Sequence, residues 1–360
     1  MKTRCISLLS LFILLAGLSI SSFSEGVQET SAPQIVVEDA LGRSVTLPES
    51  PKRIVTAGKA VIMIVDALYL FSDVGERVAA VGFTDQGMGD FFPVLEKDAG
   101  KTARLKKNVG PEEILARNPD LVLLKSYLRD SLGKPIETAG VPVVYLDLET
   151  PEQFERDLRI LGTLLEQEDR AEELISMMDQ KAAELRSRVE GRPQLTVALF
   201  SVNSGNSGYS FSVAPQGWIQ AVLVQLAGGE PVWTEAVSKP GWNQVGFEQI
   251  ARWDPEVMVL LSFRGATREV RESVQTDSLW GSLTAVRNDR IYSMPADFYS
   301  WGQPDPRWIL GAQWLARVLH PEAFDSPFEE DVAAFFRDFY GIGKERFERE
   351  IRPRISGDFF

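Results

Sequence analysis

The sequence predicts an α/β protein with two similar lobes that are joined by one long α-helix. Three observations support this fold class: an amphipathic helical pattern over residues 168–189, two similar sequence blocks on either side of it, and short apolar runs that alternate with helical patterns. Short, continuous apolar strands with helices between them are typical of a parallel sheet that helices cover on both faces. The alternative is a single domain in which the long helix is an ordinary surface helix packed on one core.

The segment from Glu168 to Val189 has the periodicity of a helix with one buried stripe. Its apolar residues share the spacing of a single helical face, and they are Ala171, Leu174, Ile175, Met178, Ala182, Leu185 and Val189. Gly191 and Pro193 then mark the end of the helix. At about 1.5 Å per residue such a helix spans roughly 30 Å, about the width of a small domain. We therefore predict that residues 166–190 form a rigid connection between two lobes.

Two blocks that flank this helix resemble one another. Residues 112–124 read EEILARNPDLVLL, and residues 248–260 read EQIARWDPEVMVL. A gapless overlay matches Glu112 with Glu248 and aligns the proline of each block. Each block predicts a short helix, a proline turn and a buried strand, because a proline ends a helix and an apolar run suits a covered strand. The repetition favours two lobes of the same kind, residues 34–165 and 191–360.

The predicted strands and helices alternate within each lobe. In the N-terminal lobe we place strands at Ile35–Glu38, Ser44–Leu47, Ile54–Thr56, 78–83, Leu121–Lys125 and Val143–Leu146, and a helix at 60–70. In the C-terminal lobe we place strands at 195–201, 257–262 and 291–294, helices at 214–226, Trp308–Leu319 and 328–339, and a flexible polar loop at 203–210. Sheets of this kind bind ligands beyond the carboxyl ends of their strands. The residues that follow the strands are therefore candidates for ligand contacts.

The first 24 residues have the pattern of a secretory signal peptide. Two basic residues precede an apolar run at residues 6–18, and small residues around Ser24 suit cleavage after that position. The only cysteine, Cys5, precedes the apolar run, whereas a lipoprotein cysteine follows it, so we expect a mature chain without lipid, disulfide or thiolate ligand. Residues 25–33 are polar and are predicted to be a disordered lead-in. A retained membrane anchor is the alternative, although the apolar run is short for a membrane crossing.

The composition excludes one class of partner. The chain has 360 residues, which is enough for two hydrophobic cores, and its formal net charge is -13. Nucleic-acid-binding surfaces are basic, so this acidity argues against a nucleic-acid partner. We expect a soluble monomer.

Several stretches, taken together and in order, resemble one known family. They are DALGRSVTLPESPKRIV near the start, VAAVGF, EEILARNPDLVLL, LAGGEPVW, VGFEQIARWDPEVMVLL and WILGAQWLARVLHPEAF. Each stretch alone is weakly specific, but the ordered set runs through essentially the whole chain that follows the signal segment. The sequence resembles the periplasmic substrate-binding proteins of ABC importers for iron–siderophores, haem and cobalamin, of the helical-backbone class.

This resemblance implies a fold and a partner. It implies two Rossmann-like lobes, one connecting helix, a ligand in the cleft between the lobes, and a periplasmic location. It also implies that one exposed glutamate on each lobe docks against arginines of an ABC permease in the inner membrane, and those glutamates match Glu112 and Glu248. The alternative is that both carboxylates only stabilise the N-termini of their helices, and the two roles are compatible.

The candidate ligand-binding residues follow predicted strands or lie in aromatic-rich loops. They are Lys59, Tyr127, Trp242, Arg264, Tyr299 and Trp301. The C-terminal loops also carry Tyr209, Trp233 and Phe263. Aromatic rings suit a large, partly flat ligand such as a metal chelate, and the two cations would meet an anionic group of that ligand. The alternatives are ordinary core or rim rings and solvated surface charges.

We predict binding without chemistry, and therefore no enzyme, no catalytic residue and no cofactor. The sequence contains neither a phosphate-loop pattern nor a nucleophile elbow or HExxH motif. His320 is the only histidine and precedes a proline, which indicates a helix C-cap rather than a metal ligand. Zinc and copper sites prefer imidazole or thiolate, so we expect no bare-metal site of that kind. An oxygen-only site built from Asp and Glu is the alternative that the sequence leaves open. The alternatives are the same binding role for an oxyanion or a small organic solute, and a secreted two-domain enzyme.

Overall fold

Two sheets and one long helix form the framework of the chain. The computed structural model describes residues 34–84, 86–96, 100–205, 208–237, 239–265 and 267–359. The predicted signal peptide and lead-in, residues 1–33, lie outside these described residues. The described part opens with an antiparallel hairpin of β1 (Ile35–Glu38) and β2 (Ser44–Leu47), with the bounds that the sequence predicts.

The N-terminal sheet is parallel throughout. Its strands are β3 (Ile54–Thr56), β4 (Val78–Gly82), β5 (Ala103–Leu105), β6 (Leu121–Lys125) and β7 (Val143–Leu146). They lie in the order β5-β4-β3-β6-β7. Every residue of β6 and β7 is buried, which explains why these strands read as continuous apolar runs. β5 was not predicted because its central residue, Arg104, interrupts the apolar pattern.

The C-terminal sheet is mixed. Its strands are β8 (Leu195–Gly205), β9 (Gly208–Val213), β10 (Gly229–Pro231), β11 (Asn243–Val245), β12 (Val257–Leu261) and β13 (Ile291–Ser293). They lie in the order β11-β9-β8-β12-β13, with β10 beside β8. The polar loop predicted at 203–210 is strand over its described residues, because β8 extends to Gly205, β9 begins at Gly208, and these two glycines pair. Small polar residues mask the period-2 pattern there, and main-chain hydrogen bonds extend the strands regardless.

Helices connect and cover the strands. They span Val61–Leu68, Phe92–Leu95, Pro111–Leu115, Lys134–Thr138, Pro151–Leu165, Glu168–Val189, Ile219–Leu226, Phe247–Trp253, Thr267–Thr276, Thr284–Arg287, Trp308–Leu319, Phe328–Tyr340 and Lys344–Arg346. The helix predicted at 214–226 begins only at Ile219, because Gly217 adopts a φ of 91° in the preceding turn. Among the described residues, none of these helices combines the length and apolarity that a membrane crossing requires.

The connecting helix Glu168–Val189 has the predicted bounds. Its buried residues are the predicted apolar set, Ala171, Leu174, Ile175, Met178, Ala182, Leu185 and Val189. Arg170 at its start donates one hydrogen bond to the carbonyl of Leu70 and another to the carbonyl of Phe339. The helix is therefore held to the N-terminal lobe and to the last long helix of the chain. The lobe boundaries at 165 and 191 stay a prediction.

The two echoed sequence blocks fold in the same way. The Asp120 carboxylate accepts the backbone N–H of Arg53 at 2.9 Å, and the Glu256 carboxylate accepts the backbone N–H of Thr196 at 2.8 Å. In each lobe this bond joins the start of a central strand, β3 or β8, to the start of its neighbour, β6 or β12. The matched acidic residue thus fixes the same strand register twice, which accounts for its place in both blocks.

Candidate functional site

Three neighbouring strands of the N-terminal sheet end at one edge, and two of the residues that follow them, Lys59 and Tyr127, are predicted ligand contacts. Lys59 follows β3, Phe83 follows β4 and Tyr127 follows β6, and these strands are adjacent in the sheet. Tyr127 is 54% exposed and Phe83 is 47% exposed. The Tyr127 hydroxyl donates to the carbonyl of Lys59 at 2.9 Å, which fixes the ring across two strand ends. The carboxyl edge of this sheet therefore presents two open aromatic rings beside an exposed lysine.

A buried lysine supports this edge. Lys125, the last residue of β6, is 1% exposed, and its Nζ lies 2.8 Å from a carboxylate oxygen of Glu149. Burial, with a contribution from the Glu149 carboxylate, raises the pKa of Tyr127 to about 12, so its hydroxyl stays protonated. The sequence did not mark Lys125, because a lysine at the end of an apolar strand reads as a surface charge.

The C-terminal lobe contributes a row of aromatic rings. The ring centroids of Trp218 and Trp242 are 6.0 Å apart, and those of Trp242 and Phe263 are 5.8 Å apart, both edge to face. All three rings are partly exposed, and Tyr209 on the β8–β9 hairpin is 40% exposed. Arg264 follows Phe263 and is also exposed. Offset and edge-to-face contacts of this kind hold rings in place while leaving part of each face open.

One loop of the N-terminal lobe crosses to the C-terminal lobe. The backbone N–H of Gly87 donates to the carbonyl of Phe263 at 2.6 Å, and that of Met88 donates to the carbonyl of Phe298 at 2.8 Å. Gly87 has a φ of 98°, and a Cβ there would lie 2.5 Å from both the Phe298 carbonyl oxygen and the Tyr299 ring. Only glycine fits this crossing, which ties the backbone of Phe263, one member of the aromatic row, to the loop that follows β4.

Two of the predicted ligand contacts are buried. Trp301 is fully buried, its indole N–H donates to Asp297, and its ring packs on Phe328 and Phe359. Its indole completes the core, and the predicted contact between Trp301 and the ligand stays a prediction that this burial disfavours. Tyr299 is 3% exposed, yet its ring lines a cavity at the lobe boundary.

Trp233 is buried as well, and its indole N–H donates to the carbonyl of Ala214 at 2.8 Å. The sequence could not separate these indoles from exposed ones, because a loop position does not reveal whether a later segment covers it.

A fully buried arginine joins the lobes. Arg307 precedes the Trp308–Leu319 helix, and its Nη1 lies 2.6 Å from Asp66, which lies on the Val61–Leu68 helix of the other lobe. Its Nε donates to Asp297 at 2.9 Å, and Asp305 lies 3.8 Å from Nη1. All four side chains are at most 1% exposed. Three carboxylates thus surround one guanidinium in the interior.

Aromatic rings complete the surroundings of Arg307. Its Cζ lies 4.2 Å from the ring centroid of Phe91, 5.2 Å from that of Tyr299 and 5.8 Å from that of Tyr340. Nη2 has no hydrogen-bond partner among the described residues. Cation–π attraction is strongest where water is excluded, so the rings offset part of the desolvation of the guanidinium.

Burial and neighbouring charges shift the pKa values of the groups in this cluster. Burial acts to lower the pKa of Arg307, but Asp297, Asp66 and Asp305 outweigh it and raise that pKa. Burial raises the pKa of Asp66 well above its ordinary range, against the attraction of Arg307. Burial likewise raises the pKa of Asp305 to about 6. One sequence signal for the cluster existed: Asp66 interrupts an otherwise apolar helix, and a charge in such a run indicates a buried partner.

The two matched glutamates have the same local geometry. Glu112 and Glu248 occupy the second position of their helices, each after an extended glycine N-cap. A Cβ on Gly110 would lie 3.0 Å from Glu112 Oε2, and a Cβ on Gly246 would lie 3.3 Å from Glu248 Oε2. Each carboxylate therefore folds back over the first turn, where the helix N–H groups are unpaired. Both side chains are exposed.

Topology places both glutamates on comparable edges. The Glu112 helix follows β5, which runs parallel to the rest of its sheet. The Glu248 helix follows β11, which runs parallel to β8 because both strands are antiparallel to β9. Each helix therefore starts from the carboxyl edge of its sheet, the edge that also carries the open aromatic residues.

Within the described part of the chain, no group of three or more His, Cys, Asp or Glu side chains is arranged to hold a metal ion. His320 is the C-cap of the Trp308–Leu319 helix, as predicted, and it is 2% exposed. Burial lowers its pKa, which favours the neutral imidazole.

Comparison with known proteins identifies the family. The family model described as "Periplasmic binding protein" matches residues 54–298, which is more than half of the chain. This chain belongs to the periplasmic binding protein family. The predicted fold class, two α/β lobes with a connecting helix, is confirmed.

Two relatives and one solved structure illustrate the likeness. The molybdate-binding protein MolA of Haemophilus influenzae is 24% identical over 349 residues, which cover 91% of this chain and 94% of MolA. A vitamin B12-binding protein of Pectobacterium carotovorum is 27% identical over 59% of this chain and 72% of its own length. The structure of Haemophilus influenzae MolA bound to molybdate has a TM-score of 0.70, with 21% identity, and covers 86% of this chain and 98% of that one. At this identity the structural match shows the fold alone.

Proposed function

We propose that this periplasmic binding protein captures a metal chelate between its lobes and delivers it to an ABC permease in the inner membrane. The main support for this proposal is the set of open aromatic rings at the lobe boundary. Phe83 and Tyr127 come from one lobe, and Trp242 and Phe263 come from the other. Ligand sites are usually lined by apolar and aromatic side chains with a few polar groups, and this set has that composition.

The rings favour a ligand with a broad apolar or flat surface. Trp242 and Phe263 are held edge to face, so a planar macrocycle or an aromatic chelating arm can pack against their free faces. Lys59 and Arg264 are exposed beside the rings and supply positive charge for an anionic part of the ligand. Iron–siderophores, haem and corrinoids combine these properties. The relative that binds vitamin B12 supports this class.

Delivery to a permease accounts for the matched glutamates. Glu112 and Glu248 are exposed, lie one on each lobe, and begin helices at the carboxyl edges of the two sheets. A two-point acidic contact suits a permease with a basic patch for each lobe, because charges at the rim of an interface speed and orient the encounter. The protein then acts outside the inner membrane, after secretion through a cleaved signal peptide, and performs no chemistry on its cargo.

The second candidate is the same binding role for an oxyanion. The observation that favours it is MolA, a molybdate-binding relative that aligns with 91% of this chain. An oxyanion would use cationic and backbone N–H groups and would gain little from the aromatic row.

A thermal-shift screen of the purified chain tests the proposed function. We expect cyanocobalamin, haem or a ferric siderophore to raise the melting temperature, because a ligand at about 100 times its Kd stabilises the folded state by about 2.7 kcal/mol. Tyr127→Ala should raise the Kd of that ligand roughly tenfold, because the contact with the tyrosine ring is lost. Leu279→Ala is the matched control, since Leu279 is also 54% exposed but does not follow one of these strand ends.

Two outcomes contradict the proposal. If molybdate alone raises the melting temperature, the oxyanion candidate replaces the chelate. If none of these solutes shifts it, and none binds by calorimetry, the binding role itself is wrong.

A further inference from the structure

A cavity at the lobe boundary has one arginine, Arg104, among the described residues of its wall. The cavity has a volume of about 320 Å³ and lies on the β4 and β5 side of the N-terminal sheet. Its walls come from the loop after β4, from the Val61–Leu68 helix, from Arg104 and from Tyr299 of the other lobe. Phe83 also lines it, so the cavity adjoins the open aromatic edge.

Two contacts among the described residues orient Arg104. Its guanidinium carbon lies 4.7 Å above the ring centroid of Phe92, and its Nη2 donates to Asp90 at 3.0 Å. The Arg104 side chain is 32% exposed and that of Asp90 is 42% exposed. An ion pair this open contributes little stability, so a ligand carboxylate can take the place of Asp90 at small cost. Stacking on Phe92 keeps the planar fork oriented for that exchange.

The rest of the wall suits an organic group. Ile62, Val65 and Phe92 supply apolar surface, and the Tyr299 ring closes the side that faces the other lobe. Gln86 lines the cavity, and its Oε1 has no hydrogen-bond partner among the described residues. Arg104 is the one cationic side chain among the described residues that line the cavity.

The volume of the cavity favours an organic ligand over a bare oxyanion. Sites for small organic molecules typically enclose about 300–1,000 Å³, and this cavity lies within that range. A bare tetrahedral oxyanion would leave most of the apolar wall without contact, whereas an organic arm that ends in a carboxylate would fill it. Carboxylates match the bidentate fork of arginine.

We propose that this cavity is a subsite for a carboxylate-bearing arm of the captured chelate, with Arg104 as the anion-binding residue. The inference rests on the proposed binding function and specifies its ligand as an anionic organic chelate. The aromatic row then contacts the body of the chelate, and Arg104 selects for its charge. A neutral chelate would leave the Arg104–Asp90 pair intact and gain nothing from the subsite.

The test is calorimetric titration of ferric citrate, a carboxylate-rich chelate, into the purified chain. We expect the wild type to bind it, Arg104→Met to weaken binding at least tenfold, and Arg104→Lys to weaken it by less, because an ammonium keeps the charge but not the fork. Arg186→Met is the control: it removes the same charge from an exposed position on the connecting helix and should bind as the wild type does. The affinity for sodium molybdate, if it binds at all, should be the same in the wild type, Arg104→Met and Arg104→Lys.

Three results with ferric citrate or molybdate each overturn the inference. They are no binding of ferric citrate to the wild type, equal affinity in the wild type and Arg104→Met, and an Arg104-dependent affinity for molybdate. If another chelate of the thermal-shift screen binds the wild type and Arg104→Met equally, the proposed function stands and the subsite is wrong. If no solute of either experiment binds, both are wrong. Melting temperatures of the free variants, expected within error of the wild type, separate a lost contact from a lost fold.

Discussion

Arg307→Met is expected to lower the free energy of unfolding by about 3–5 kcal/mol, the usual effect of removing one partner from a buried ion pair. The substitution leaves Asp66 and Asp297 in the interior without their cation. It also removes the guanidinium from the ring of Phe91. Urea unfolding followed by circular dichroism measures the loss. Arg349→Met is the control, because Arg349 forms its ion pairs at the surface and should unfold at the wild-type urea concentration.

A milder variant of the same ion pair, Asp66→Asn, is measured beside Arg307→Met in case the latter does not fold. Asp66→Asn retains a polar partner for Arg307 and should lose less stability than Arg307→Met. If Arg307→Met unfolded at the same urea concentration as the wild type, the Arg307 cluster would not stabilise the contact between the lobes.

Reversing both matched glutamates, with Glu112→Arg and Glu248→Arg together, is expected to reduce uptake to background and to leave solute affinity unchanged. Each carboxylate is exposed and folds back over the first turn of its own helix. Sign reversal replaces attraction by repulsion at both contact points with the permease, so the double variant should lose more than either single variant. Uptake into vesicles that contain the cognate permease, paired with calorimetry in solution, measures both effects.

A matched double variant controls for net charge. Glu76 precedes β4 and Glu190 precedes β8, so both lie toward the amino edges of the sheets, and both are exposed. Glu76→Arg with Glu190→Arg should transport as the wild type does. Normal uptake by the Glu112 and Glu248 double variant would refute the docking role, and a loss of solute affinity would place these glutamates in the ligand site instead.

The framework was predictable because it depends on local patterns. The connecting helix Glu168–Val189 and the strands β6 and β7 have the bounds that periodicity and apolar runs indicate. The matched residues Asp120 and Glu256 also indicated repeated lobes, and their equivalent hydrogen bonds explain why. Each of these features is encoded within one short stretch of sequence.

The interior of the lobe boundary was not predictable, because it depends on residues that are far apart in the chain. Arg307 meets Asp66 across 241 positions, and no pattern around either residue identifies the other. Trp301 and Tyr209 both lie in segments predicted to be loops, yet the first is covered by Phe328 and Phe359 while the second stays 40% exposed. Whether a loop residue is open depends on which later segment packs over it.

Arg104 illustrates the same limit at the candidate site. Its strand, β5, is short and carries a charge at its centre, so its pattern resembles a loop. Only the packing of the guanidinium on Phe92, beside a cavity that Tyr299 closes from the other lobe, gives it a candidate role.

The most direct measurement is a crystal structure of the chain grown with the chelate that raises its melting temperature most. We expect the chelate to lie between the two lobes, in contact with Phe83 or Tyr127 on one side and with Trp242 or Phe263 on the other. A chelate bound on the outer surface of a single lobe, away from these rings, would contradict the central claim that the protein captures its cargo between the lobes.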